Sequence, residues 1–287
     1  MRSMIATALM AMTLVVSDAR AAEAWQTLPE PAPLQALAMS GHVAHDGAQL
    51  WFATVGTGSP VLLLHGGLGS SDDWGNQVPA LVAARRRVIL IDSRGHGRST
   101  RDARPMDYER MESDVVAVLD ALGIRRVDVV GWSDGGIVGL IMAMKHPQRV
   151  KSVFAFGANM DLHGANPDAM SSPILPLFLE QTKKAYQRLS PTPGEADALA
   201  EAMEALWNSQ PNYSAADLAR ISGPRIAIVD GEHEEFVTRA HTLYLARTIP
   251  GARLILLRGV SHFAPLQDGP AFNRAMLRFL QSAPTAR

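Results

Sequence analysis

The chemistry in this chain centres on six residues, Gly131-Trp132-Ser133-Asp134-Gly135-Gly136. They fit the pattern G-x-S-x-G, in which a serine occupies a sharp turn between a strand and a helix while glycines let the backbones approach closely. The apolar run at 127–130 supplies the strand, and residues 137–144 supply the helix, whose first N–H groups point back at the hydroxyl. The alternative is a tight turn whose serine merely caps the helix. That reading leaves the partners below without a purpose.

A serine hydroxyl is a weak nucleophile until a base, itself oriented by a third group, takes its proton. His262, in Ser261-His262-Phe263, follows the last strand-like run at 254–257 and is the candidate base. The acid is sought after the run at 226–229, in Asp230-Gly231-Glu232-His233-Glu234-Glu235. Glu234 is preferred because the loop must extend a few residues before it turns towards the histidine. Glu235, Asp230 and, after an earlier strand, Asp161 remain open, and His233 is expected to face solvent. His65-Gly66-Gly67-Leu68-Gly69 follows the first parallel strand. The Gly67 N–H, with the Asp134 N–H after the nucleophile, can form an oxyanion hole, where one donor is worth ~3 kcal/mol of transition-state stabilisation. A dinucleotide loop fails by spacing, because the third glycine of that pattern falls on Asp72.

The elements that position these residues alternate along the chain. Asp46-Gly47 predicts a two-residue hairpin between strands at 42–45 and 49–55. Short apolar runs at 61–64, 88–91, 127–130, 150–156, 226–229 and 254–257 read as strands buried on both faces of a mostly parallel sheet. Tyr108, Met111, Val115, Val118 and Leu122 share one face of a helix that Gly123 ends. This alternation predicts an α/β fold with helices on both sides of the sheet. Residues 161–222 break the rhythm and read as a small helical cap insertion, dividing a core of 22–160 and 223–287. Within it, Thr192-Pro193-Gly194-Glu195 has the form of a capped helix start, and Leu199, Met203, Leu206 and Trp207 form an apolar stripe. With Leu175, Leu177 and Phe178, they suggest either a hydrophobic acyl or alcohol pocket or the cap's own core.

Composition narrows the partners. A net charge of −1 with 19% charged residues leaves no basic stripe for nucleic acid or an anionic membrane. Arg85-Arg86-Arg87 reads as a solvated helix end. Arg2, the apolar run at 4–16 and Ala19-Arg20-Ala21 have the layout of a signal peptide at 1–21, which points to a periplasmic or secreted protein beginning near Ala22. The chain has 0 cysteines, which excludes a lipoprotein anchor, disulfides and thiolate metal sites together.

Residues 61–280 resemble the α/β-hydrolase superfamily. His65-Gly66-Gly67, Asp92-Ser93-Arg94-Gly95-His96-Gly97-Arg98-Ser99, the Ser133 turn and Ser261-His262-Phe263 stand in that family's order. Gly131-Trp132-Ser133-Asp134-Gly135-Gly136-Ile137, continued by Phe156-Gly157-Ala158-Asn159, resembles the biphenyl-hydrolase-like (valacyclovir hydrolase) branch. The resemblance implies an α/β-hydrolase fold with a Ser133–His262–Glu234 triad, with Glu234 where relatives usually carry Asp. It implies an architectural role for the loop from Asp92 to Ser99, so His96 is not expected to be catalytic. It implies cleavage of a small-molecule carboxylic ester, with a hydrophobic part, through an acyl-enzyme. No metal, organic cofactor or membrane anchor is implied. Amide cleavage, acyl transfer, perhydrolysis and a non-catalytic binding role are alternatives. Dehalogenase and epoxide hydrolase chemistry is disfavoured because those relatives carry Asp at the position of Ser133. The same branch implies that the Asp134 side chain can recognise the ammonium of an aminoacyl ester.

Overall fold

Asp46 and Gly47 turn the chain with φ of 40° and 80°, laying β1 (Met39–His45) antiparallel on β2 (Ala48–Val55). This hairpin opens the fold in a computed structural model that describes residues 23–282. The segment read as a signal peptide lies outside the described residues. Six further strands follow: β3 (Ser59–Leu64), β4 (Arg86–Ile91), β5 (Val127–Trp132), β6 (Val150–Phe156), β7 (Arg225–Gly231) and β8 (Arg253–Leu257). Their order in one sheet is β1-β2-β4-β3-β5-β6-β7-β8. Both pairings of β2 are antiparallel and the remaining five are parallel.

The helices are α1 (Gln77–Ala83), α2 (Tyr108–Ala121), α3 (Asp134–Lys145), α4 (Leu175–Leu189), α5 (Ala196–Trp207), α6 (Ala215–Ala219), α7 (Arg239–Thr248), α8 (Ala264–Gln267) and α9 (Gly269–Gln281). Alternate strand residues feed two separate cores. Leu62, Leu64, Ile89 and Ile91 pack with α2, α3 and α7, whereas Val61, Leu63, Val88 and Leu90 pack with α1 and α9. Apolar runs without alternation are therefore what the inner strands require, because both faces are covered there; the run at 254–257, expected to be buried on both faces, forms the edge strand β8, where Leu254 and Leu256 are exposed. Asp107 caps α2 by accepting the Arg110 N–H at 2.9 Å, and Gly123 ends it at φ 65°.

The strand order locates the site. The chain passes from β3 to β4 on one side, then crosses back to place β5 on the other. Loops leaving the carboxyl ends of β3 and β5 diverge there, and an open α/β sheet binds ligands in such a crevice. Helices α4, α5 and α6 occupy the stretch between β6 and β7.

Two local expectations are corrected. Thr192 does not cap a helix. A 3-10 turn, Pro193–Glu195, leads into α5, and the Thr192 hydroxyl lies 3.1 Å from the Tyr186 hydroxyl instead. Arg86 is not a solvated helix end either. It starts β4, pairs with Asp128 at 3.0 Å and donates to the Leu280 carbonyl at 3.1 Å, because the adjacent strand and the last helix bring both acceptors to it.

Candidate active site

Ser133 adopts φ 53° and ψ −118° between β5 and α3. Such a conformation costs a non-glycine residue about 1–3 kcal/mol, and the neighbours hold it in place. The Ser133 N–H donates to the Phe156 carbonyl at 2.7 Å, and its own carbonyl accepts from Gly136 N at 2.7 Å. A Cβ on Gly135 would collide with the Leu64 carbonyl, and one on Gly131 with the Gly135 backbone. The glycines of the motif therefore let α3 start directly against the ends of β3 and β5. Ser133 itself is half-buried among buried neighbours.

His262 lies in the loop between β8 and α8. Its Nδ1 is 2.7 Å from Glu234 Oε1, and the two side chains are 8% and 2% exposed. Glu234 Oε1 also accepts the N–H groups of Phe236 at 2.9 Å and Val237 at 3.2 Å. Burial alone would push the Glu234 pKa up, but His262 and these donors outweigh it and hold the group below its ordinary value. Burial alone would lower the pKa of His262, but Glu234, by its charge and its hydrogen bond, and the charge of Glu235 raise it overall. The ring packs 4.8 Å, centroid to centroid, from Phe236 and 6.2 Å from Trp132. A Cβ on Gly157 would stand 2.8 Å from His262 Nδ1. Gly157 directly follows Phe156, whose carbonyl holds Ser133, so histidine and serine are brought to the same end of β6. Among the described residues the Ser133 hydroxyl has no hydrogen-bond partner, and such bonds commonly tighten only with substrate in place.

The other acids weighed from the sequence go elsewhere. Glu235 Oε2 accepts the backbone N–H of His262 at 3.0 Å and so holds the loop, not the ring. Asp161 caps a short 3-10 turn through His163 N. Asp230 is 1% exposed and accepts from Thr242 Oγ1 at 2.6 Å and from Arg239 at 3.3 Å. His233 does not simply face solvent: its ring stacks on Trp25 at 4.4 Å.

Gly66 lies against Ser133, with a Cβ there 3.4 Å from the Ser133 Cβ. Neither Gly67 N–H nor Asp134 N–H has an acceptor among the described residues. The loop is fixed by His65, whose Nε2 accepts from Ser93 N at 3.0 Å, leaving Nδ1 to donate to the Gly66 carbonyl at 2.7 Å. Burial lowers the pKa of His65 and, with His65 beside it, pushes that of His96 down to about 3. Both rings are neutral structural groups. Asp92 accepts Ser71 N and Arg98 N at 2.8 Å each, tying its loop to the one after β3.

Asp134, 3% exposed, projects from the start of α3 towards α5. It accepts from the Tyr108 hydroxyl at 2.8 Å and from Trp207 Nε1 at 3.1 Å to each oxygen. Burial raises its pKa against these donors. Of the stripe on α5, Leu199, Met203 and Leu206 are buried in the core, whereas Trp207 reaches Asp134 and is 39% exposed. Leu177 is exposed, and Phe178 packs on Phe263 at 5.0 Å and Trp132 at 6.4 Å. A cleft of about 250 Å³ opens between Leu68–Gly69–Ser70 and the α4 residues Phe178, Thr182 and Tyr186, and neither Ser133 nor His262 lines it. Glu30 and Pro31 of the N-terminal lead-in complete one wall. Among the described residues no cluster of His, Asp and Glu is spaced to hold a metal ion.

Sequence reasoning missed the groups that buttress these loops. Tyr108 reads only as the apolar start of α2. Gln267 donates to the Thr27 carbonyl at 2.9 Å and accepts Ser261 N at 2.8 Å, clasping the lead-in to the histidine loop. No local pattern marks that residue.

Comparison with known proteins agrees with this fold. Residues 59–198 match the family model described as alpha/beta hydrolase fold. The chain is 32% identical over 254 residues to the serine hydrolase BPHL of Homo sapiens, covering 84% of this chain and 86% of that protein. A hydrolase from Pseudomonas aeruginosa superposes with a TM-score of 0.68 at 27% identity, covering 85% of this chain and 99% of that one. Est816, described as an N-acyl homoserine lactone degrading enzyme, superposes with a TM-score of 0.67 at 27% identity, covering 83% and 99%. With an eight-stranded, mostly parallel sheet, a strained serine turn and these relatives, the chain belongs to the α/β-hydrolase superfamily.

Proposed function

We propose that this protein is a serine hydrolase that cleaves small carboxylic esters through an acyl-enzyme. Ser133 attacks the carbonyl, and His262 takes its proton and returns it to the leaving alcohol. Glu234 fixes the tautomer of His262 and stabilises the imidazolium that forms. The N–H groups of Gly67 and Asp134 receive the oxyanion. The observation that carries this reading is the buried 2.7 Å pair of His262 Nδ1 and Glu234 Oε1 at the end of β6 that also holds Ser133. One relative is named for lactone degradation, and a lactone is a cyclic ester, so lactones belong among the candidate substrates.

The test is turnover of p-nitrophenyl esters of graded chain length, aminoacyl esters and lactones, by the wild type and Ser133→Ala. Hydrolysis of one or more of these substrates that vanishes in the variant is expected. Binding without turnover of any of them would replace the enzyme reading with a receptor. Export with cleavage before Ala22 is part of the proposal. Its support is Arg2, the apolar run at 4–16 and Ala19-Arg20-Ala21. N-terminal sequencing of material exported by a bacterial host checks it, and an intact Met1 found only in the cytosol overturns it.

A further inference from the structure

The carboxylate of Glu234 is satisfied on one side only. Oε1 receives three N–H groups, those of His262, Phe236 and Val237. Oε2 is buried and receives no donor of that kind among the described residues. An unpartnered carboxylate oxygen inside a protein is costly. The group beside it is a second buried carboxyl, that of Asp230, which comes within hydrogen-bond reach of Glu234. Asp230 stands at the end of β7, immediately before the loop, and its oxygens take the Gly231 N–H at 3.1 Å and the Thr242 hydroxyl at 2.6 Å. Resting on the triad reading above, we propose that Asp230 carries a proton that it donates to Glu234 Oε2. Asp230 is then a positioning residue, which holds the acid that holds the base.

The charges around the pair favour this proton. Two carboxylates in contact inside a protein cannot both ionise readily, so one of them keeps its proton. Burial first, and the charge of Glu234 second, push the pKa of Asp230 up to about 8. Glu234 is the member that ionises, because His262 and two backbone N–H groups face it. Arg239 on α7 opposes protonation of Asp230, but its guanidinium is also engaged by the Gly231 carbonyl at 2.6 Å. Glu235 faces the His262 backbone and adds negative charge to the same cluster. Below the Asp230 pKa, Glu234 Oε2 has its donor. As pH rises through it, the donor becomes an anion that repels Glu234 and draws His262 towards its protonated form, and both effects remove base catalysis.

Two variants and one spectroscopic signal test this. In Asp230→Asn the amide still donates to Oε2 and cannot ionise, whereas Asp230→Ala leaves Oε2 bare. In the wild type, kcat/KM for a p-nitrophenyl ester should climb as His262 loses its proton and fall again near pH 8, where Asp230 loses its own. The upper fall should be absent in Asp230→Asn, which keeps most of its activity. Asp230→Ala should lose about tenfold to a hundredfold in kcat with little change in KM, the scale on which outer partners of a positioned histidine act. The Nδ1 proton of His262, followed by NMR far downfield, should shift near the same pH in the wild type and not in Asp230→Asn. That signal decides the matter even if Asp230→Ala does not fold. A wild-type Nδ1 signal that passes that pH unchanged, or an Asp230→Ala enzyme with wild-type kcat, overturns the proposal. A turnover that survives Ser133→Ala fails the triad reading itself, independently of Asp230.

Discussion

Two buried carboxylates belong to the candidate site, and the fold treats them in opposite ways. On the loop after β7, Glu234 faces an imidazole and two backbone N–H groups, which hold its pKa below the ordinary value. At the start of α3, Asp134 faces a phenol and an indole, and burial raises its pKa. Burial pushes both groups in the same direction, so the difference lies in the partners. At Glu234 the potentially cationic His262 and the backbone donors outweigh desolvation, and at Asp134 the neutral donors do not. The first environment suits a group that must stay charged while its neighbour gains and loses a proton. The second suits a group that joins the sheet to the helices between β6 and β7, or one that waits for a cation from outside.

The strongest way to break this contrast is to remove the reaction that Glu234 is argued to serve. Ser133→Ala and His262→Ala should each lower kcat by roughly 10⁴-fold or more, and the double variant should be little worse than either, because triad members act as a unit. Circular dichroism should show folded protein in all three. A folded Ser133→Ala with near-normal kcat would remove the nucleophile.

Next in size is the choice between neighbouring acids. Glu234→Gln should cost roughly 10²–10⁴-fold in kcat, because an amide facing Nδ1 favours the wrong tautomer of the histidine. Glu235→Gln should change kcat little, since an amide oxygen still accepts the His262 backbone N–H. If the effects are reversed, the loop holds its acid one residue later than the geometry at 2.7 Å indicates.

The contrast also separates what the residues disclose from what they conceal. Strands buried on both faces, the Asp46-Gly47 turn and the serine motif are local patterns with local physical causes, so they are legible along the chain. The approach of Glu234 to His262 could be anticipated only as one choice among several acids. Their meeting depends on how far a loop runs past β7, which no spacing rule fixes. The environment of Asp134 was not legible, because Tyr108 and Trp207 lie 26 residues before it and 73 after it in the chain. Long-range contacts of that kind come from the topology: α2 packs beside α3, and Trp207 at the end of α5 reaches the start of α3. The shared proton of Asp230 is hidden for the same reason, since its meaning depends on which oxygen of Glu234 is left without a donor. Thr192 shows the opposite failure. A complete local cap pattern yielded to a hydroxyl on a neighbouring helix, Tyr186.

The smallest expected effects concern Asp134, and they sharpen the comparison most. Asp134→Asn keeps the backbone N–H, the approximate shape and an oxygen to accept from Tyr108 and Trp207, while removing the charge. Because the folded-state pKa is raised, the contribution of this carboxyl to stability is fully present below its unfolded value and is lost as pH rises through the folded one. Asn does not titrate, so the difference in Tm, variant minus wild type, should grow from acid to neutral pH. A gain on the order of 1 kcal/mol, the scale of many single substitutions, corresponds to about 2–4 °C in a chain of this size. The second reading of Asp134 is recognition of an ammonium group, which would supply the cationic partner that Tyr108 and Trp207 do not. It is measured as kcat/KM for an α-aminoacyl ester divided by that for its des-amino analogue. A ratio well above one that collapses in Asp134→Asn assigns the carboxylate to substrate. A ratio near one in both proteins, together with a Tm gap that widens with pH, leaves Asp134 as the strut between α3 and α5. A Tm gap that stays constant across that pH range would mean that the group is ionised in the fold without cost, and the contrast with Glu234 would fail on electrostatic grounds.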